Sequence, residues 1–156
     1  MTLASRYGLQ IRTAAPADAP GVAELLASAG HAVDATTLAR QLENLRQGEG
    51  TALLALEWGP PSGLIVLHWL QLLGPDGRVA QVSGLLVGPD ERRRGIGRLL
   101  LKAGARAARA AGCGSLHLLA SAHMPAMLDF AGANGFDAVG TALVRPLRKS
   151  RGRDDD

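Results

Sequence analysis

The sequence predicts a single α/β domain built on a mixed, mostly antiparallel sheet of about six to seven strands. Three observations predict it. Two runs with helical periodicity follow a short opening strand, three runs of strand composition are joined by Gly/Pro turns, and an Ala/Leu/Arg-rich helix then precedes two further strand candidates. A chain of 156 residues is the usual size of one domain and can bury a core without staples.

The elements follow in order. Gly8 to Thr13 alternates Leu9 and Ile11 against Gln10 and Arg12, the period of a half-buried strand. Asp18 offers an N-cap to a helix whose first turn holds Pro20. Val22, Leu25, Leu26 and Ala29 form its apolar face and Gly30 closes it. Asp34 offers a second N-cap, and Leu38, Leu42 and Leu45 recur at helical spacing until Gly48 and Gly50. Thr51 to Trp58, Gly63 to Leu72 and Arg78 to Val87 have strand composition. Gly59-Pro60-Pro61-Ser62 and Gly74-Pro75-Asp76-Gly77 separate them, and turns this short imply antiparallel neighbours.

A long helix then runs from Gly95 to Ala111, with Ile96, Leu99, Leu100, Ala103, Ala107 and Ala110 on one face and Arg98, Lys102, Arg106 and Arg109 on the other. Ser115 to Ala120 reads as a strand, and the crossover helix before it makes it parallel to the strand ending at Val87. Pro125 to Ala133 reads as a short helix and Phe136 to Pro146 as a final strand or pair of strands. The domain therefore spans residues 1–147, and Arg148 to Asp156, all charged or small, reads as a disordered tail.

Composition removes several function classes. Cys113 is the only cysteine, so there is no internal disulfide and no cysteine cluster for a structural metal, and a reducing cytoplasm is the expected compartment. Met1 to Ala14 lacks an apolar stretch of signal-peptide length, and the longest apolar run, Leu64 to Leu73, is broken by His68, Trp69 and Gln71 and falls short of the ~20 residues of a spanning helix. No membrane partner is expected. The net charge of +3 and the pI near 9.7 favour anionic ligands. A nucleic-acid partner is disfavoured, because aromatic residues for base stacking make up only 3% of the chain and three aspartates end it.

The positive charge is concentrated. From Arg92 to Ala111 the cations Arg92, Arg93, Arg94, Arg98, Lys102, Arg106 and Arg109 occur with no acid among them. The stretch Arg92-Arg93-Arg94-Gly95-Ile96-Gly97 opens the long helix. At a helix N-terminus several backbone N–H groups lack acceptors and the macrodipole is positive, while Gly95 and Gly97 let main chain approach an anion closely. Such a stretch is suited to a pyrophosphate. A dinucleotide fingerprint fails because Leu100 stands where a third small residue belongs, and a P-loop lacks its Gly-Lys-Ser/Thr.

The spacing Arg92-x-x-Gly95-x-Gly97, between a Val-x-Pro strand end and an Ala/Leu-rich helix, resembles the coenzyme A signature of the GCN5-related N-acetyltransferases. The opening Ile11-Arg12 strand, the two helices, the meander and Phe130-Ala131-Gly132-Ala133-Asn134-Gly135-Phe136 are similar to that family in the same order, over residues 9–147. The resemblance implies helices on both faces of a sheet splayed at its parallel strand pair, with acetyl-coenzyme A in the gap. It implies backbone contacts to pantetheine from Leu85 and Val87, a carbonyl-polarising N–H at Leu86 or Val87, and diphosphate contacts from Arg92, Arg93, Arg94, Gly95, Ile96, Gly97 and Arg98. It implies acetyl transfer to a primary amine of a small-molecule acceptor, no metal, and a homodimer.

Two family positions differ. Ala131 stands where a tyrosine often protonates the leaving thiolate, and Ser83 stands where a glutamate often orders water beside the amine. Ser83 is therefore the catalytic candidate on that strand, and His123, in the loop after the parallel strand, is the candidate proton carrier; a solvent-exposed loop histidine is the alternative reading of His123. His68 and His31 are candidates for the acceptor side, with outward-facing or structural roles as the alternatives, and Glu57 is a possible replacement base or a plain charged strand end. The same departures leave open a non-catalytic acyl-coenzyme A-binding sensor or scaffold.

Overall fold

The computed structural model describes residues 8–89, 95–120 and 125–148. They belong to two compact units, Met1–Leu119 and Ala120–Asp156. The first unit contains β1 (Gln10–Thr13), a 3-10 turn at Pro16–Asp18, α1 (Ala19–Ser28), α2 (Ala35–Gln47), β2 (Gly50–Leu56), β3 (Gly63–Gln71), β4 (Arg78–Val87), α3 (Ile96–Ala110) and β5 (Leu116–Leu118). The second contains α4 (Pro125–Ala133).

The sheet has the order β1-β2-β3-β4-β5. Its first four strands form an antiparallel meander, and β5 joins β4 in parallel after the α3 crossover. Paired residues share a face, so the register identifies what each side buries. Leu54, Leu64 and Ala52 pack with Val22 and Leu25 of α1 and Leu38 of α2. Neighbouring residues on the same strands point the other way, where a Cβ on Gly63 would meet Leu100 and Ile96 of α3, and one on Gly104 of α3 would meet Ile65 and Leu67. Helices thus cover both faces, and Leu54, Ile65, Leu67, Ile96 and Leu100 are almost wholly enclosed. Burial of each such side chain contributes about 1.5–3 kcal/mol.

Five strands are present among the described residues, fewer than the six to seven the sequence suggests. Phe136 to Pro146 contains no strand, and Val139, Leu143 and Val144 there are exposed. Strand composition describes fit to a pleated, half-buried surface; a strand also needs a neighbouring edge for its N–H and C=O groups. The Ser115 to Ala120 run likewise pairs only over Leu116–Leu118. The tail from Lys149 onward lies outside the described residues.

Both helix caps invite comparison. Asp34 accepts from the Thr37 N–H at 2.8 Å and its hydroxyl at 2.8 Å, as a cap should, and these bonds hold its carboxyl below the usual range. Asp18 stands at the start of α1 but makes no side-chain cap there. It instead takes a two-pronged contact from Arg12, at 2.8 and 2.7 Å, and the Ala15 N–H at 2.8 Å. A charged guanidinium within reach outcompetes a neutral amide for the same oxygens. The pairing ties β1 to the chain entering α1, and it lowers the Asp18 pKa, with the Arg12 hydrogen bond as the largest cause.

Because the folded carboxyl is more acidic than the unfolded one, this contribution is complete above the unfolded value of about 3.9 and disappears as pH falls through the lower folded value. Asp18→Asn is expected to lower unfolding stability by about 1–3 kcal/mol at pH 7. Urea titrations should show the gap from wild type closing below about pH 4.

Candidate active site

β4 carries the site. Its pairing with β3 runs Gly63↔Val87 to Val66↔Gly84, then resumes at Leu67↔Val82. Ser83 is therefore an extra residue, a β-bulge, and a bulge changes which edge of the strand each later backbone group faces. Before it, the Ala80 N–H donates to Ser115 O at 2.9 Å, so even-numbered residues up to Val82 face β5. Beyond it, the Gly88 N–H donates to Ser62 O at 2.9 Å, on the β3 side. Alternation then turns the N–H and C=O of Leu85 and Val87 toward the opposite edge. β5 pairs there only with Ala80, Gln81 and Val82, so among the described residues no strand covers that edge from Ser83 onward. The sheet forks at Ser83.

The second component is the start of α3. Gly95 precedes it with φ of 76°, a left-handed conformation that costs other residues roughly 1–2 kcal/mol. The first helical bond runs from the Leu99 N–H to Gly95 O at 3.1 Å, and the N-cap residue, a glycine, has no side chain to cap the end. The N–H groups of Ile96, Gly97 and Arg98 thus precede the first intrahelical donor. Arg98, in this first turn, places a cation at the positive end of the macrodipole, an arrangement that an anion would relieve. Gly63 and Gly104 allow α3 to lie close against β3, which fixes its first turn beside the end of β4. Arg92, Arg93, Arg94 and His123 lie outside the described residues.

A third component crosses the α1/α2 face of the sheet. His68 pairs with Gln81, and Gln81 with His117, which sets the three in one row. His68 Nε2 is 2.7 Å from Ser83 Oγ, and His117 Nε2 is 2.9 Å from Ser115 Oγ. The sequence singled out His68 and Ser83 separately; the pairing of His68 with Gln81, two residues from Ser83 on the same face, brings them together. His31 lies elsewhere. It follows α1, whose Ser28 lines a cleft of about 400 Å³ with Glu24, Glu57, Trp58, Gly88 and Pro89, at the end of β4 away from His68. Glu57 thus belongs to that cleft. Among the described residues no group of three His, Cys, Asp or Glu side chains could hold a metal, and no helix is long and apolar enough to cross a membrane.

A mixed sheet with helices on both faces and a strand edge that β5 leaves uncovered, beside the first turn of a helix, is an α/β arrangement able to hold an extended anionic ligand. Residues 20–136 match the acetyltransferase (GNAT) family model, and the chain belongs to that family. It is similar to the ribosomal-protein-alanine N-acetyltransferase of Brucella melitensis biovar Abortus 2308, with 24% identity over 90% of this chain and 100% of that one, and a TM-score of 0.76. It resembles an aminoglycoside N-acetyltransferase solved with coenzyme A, at 20% identity over 94% of this chain and 100% of the other, with a TM-score of 0.78. A transcriptional regulator of Bacillus halodurans C-125 shares the fold at 19% identity, covering 89% of this chain and 99% of its own, with a TM-score of 0.80. No curated protein matches significantly.

Acetyltransferases of this family take their acetyl group from acetyl-coenzyme A, and the described residues fit that cofactor. Among the described residues, Leu85 and Val87 offer amide-pairing groups along an uncovered edge, and a Cβ on Gly95 would meet nothing within 4 Å.

A methyl group on Gly63 would stand 2.8 Å from a Leu100 methyl, 3.0 Å from one on Ile96 and 3.2 Å from Leu86 O. Gly63→Ala is therefore expected to cost about 1–3 kcal/mol in urea unfolding and to weaken coenzyme A binding in calorimetry, by pushing the first turn of α3 from β4 without touching the ligand.

Proposed function

We propose that this acetyltransferase transfers the acetyl group of acetyl-coenzyme A to a primary amine of a small-molecule acceptor by direct attack on the thioester. The observation that carries the reading is the continuity between the free edge of β4 at Leu85 and Val87 and the uncapped start of α3. When bound, the cofactor supplies an activated acyl carbon and a thiolate leaving group.

The chain's own groups do the rest. Leu85 and Val87 hold the pantetheine arm through backbone hydrogen bonds. The N–H groups of Gly95, Ile96, Gly97 and Arg98 hold the diphosphate, and Arg92, Arg93 and Arg94, which precede them in the sequence, add to the positive charge of the stretch. Of the two amides suggested for polarising the carbonyl, alternation favours Val87, because the Leu86 N–H faces β3. Fixing both reactants on one strand supplies several kcal/mol of the barrier reduction without any proton transfer by the protein.

The small acceptor is supported by analogy to neighbours that include aminoglycoside acetyltransferases. A second reading, a coenzyme A-binding sensor that does not turn over, is favoured by Ala131, which has no hydroxyl to protonate a thiolate.

The experiment is a thiol-release assay with acetyl-coenzyme A across polyamines, amino sugars, amino acids and aminophosphonates, run beside Gly95→Glu. The wild type should bind coenzyme A and release thiol with at least one amine, and Gly95→Glu should lose both activities, because its carboxylate would oppose the diphosphate at a strained position. Binding without turnover selects the sensor, and turnover that survives Gly95→Glu contradicts the site.

A further inference from the structure

We propose that Ser83 and His68 form a proton relay that deprotonates the acceptor amine, with Ser83 as the group that meets the nitrogen and His68 as the positioning residue behind it. The inference rests on the transferase reading above.

Four observations carry it. Ser83 is the bulge residue at the point where β5 stops covering β4, so its hydroxyl stands at the mouth of the fork. It is exposed, whereas His68 is half-buried, so a molecule entering from solvent meets the hydroxyl first. The Ser83 Oγ to His68 Nε2 distance of 2.7 Å is a short hydrogen bond across two strands. Ser83 stands two residues along β4 from Gln81, the partner of His68, so alternation places its side chain on the His68 face.

His68 is the imidazole of its row that contacts the bulge hydroxyl. Its cross-strand neighbour Gln81 does not titrate, and Gly50 on β2 has no side chain. Glu49 and Arg78 pair with each other at 3.4 Å. On α2, Glu43 is held by Gln47 at 2.9 Å, and Arg46 is a permanent cation. His117, beyond Gln81, is bonded to Ser115.

The step balances as follows. The amine nitrogen forms a bond to the thioester carbonyl carbon and the carbon–sulfur bond breaks. The nitrogen's proton passes to Ser83 Oγ as the hydroxyl proton passes to His68 Nε2. The thiolate takes one proton from solvent and the imidazolium returns one. The products are the amide and the free thiol.

The test uses the full chain with the best acceptor of the amine panel. Ser83→Ala and His68→Gln should each lower kcat by about 100-fold or more, while the affinity for coenzyme A, measured by calorimetry, stays within about threefold of wild type. The double variant should be no slower than the slower single one, because the two groups act as a unit. Ser83→Thr, which keeps a hydroxyl, should retain most of the rate, and His68→Gln should abolish the acid limb of the kcat/KM profile. In the ligand-free protein, Ser83→Ala should move the His68 ring resonances and leave those of His31 in place.

Either single variant turning over within threefold of wild type, with the cofactor still bound, overturns the relay and leaves the transferase reading intact. A wild type that binds coenzyme A yet acetylates no amine overturns both.

Discussion

The site depends on one extra residue. Without the bulge, with Ser83 taking an ordinary place in the ladder, Leu85 and Val87 would face β3 and spend their hydrogen bonds inside the sheet. With it, the same two residues face an edge that β5 leaves free, and the backbone has polar groups to offer a ligand. Unpaired strand edges are generally a hazard, because they invite pairing with other chains. Here the free edge is only a few residues long and leads directly to a helix start with its own unused donors, so it suits an extended ligand bearing amides at one end and phosphates at the other.

That juxtaposition holds only while α3 is kept close. Gly63 on the sheet and Gly104 on the helix remove the side chains that would separate them, and Ile65, Leu67, Ile96 and Leu100 fill the contact with apolar surface. Packing on the other face, from Val22, Leu25 and Leu38, supports the meander, and Leu45 of α2 extends it to Gly50, the β2 residue paired with His68. The exposed polar row of the sheet carries hydrogen-bonding groups without a fixed negative charge.

Much of this was legible in the sequence because it is local. The cap at Asp34, the stop at Gly30 and the turns Gly59-Pro60-Pro61-Ser62 and Gly74-Pro75-Asp76-Gly77 each announce themselves within a few residues, and so does the start of α3 after Gly95. What was not legible depended on partners distant in sequence. Asp18 was diverted from its cap by Arg12 across the β1 turn. Phe136 to Pro146 has strand composition but no strand neighbour among the described residues. The meeting of His68 with Ser83 followed from the register that sets His68 opposite Gln81, a pairing between strands that the sequence does not print.

The central claim is that the edge of β4 beyond Ser83 and the start of α3 bind one ligand together. Amide hydrogen exchange resolved to single residues, with and without coenzyme A, addresses it most directly. The account requires added protection at Leu85, Val87 and the Ile96 to Arg98 amides, with little change at Leu86, whose N–H is already engaged with β3. Unchanged exchange at Leu85 and Val87 under saturating coenzyme A, or protection confined to other strands, would contradict it.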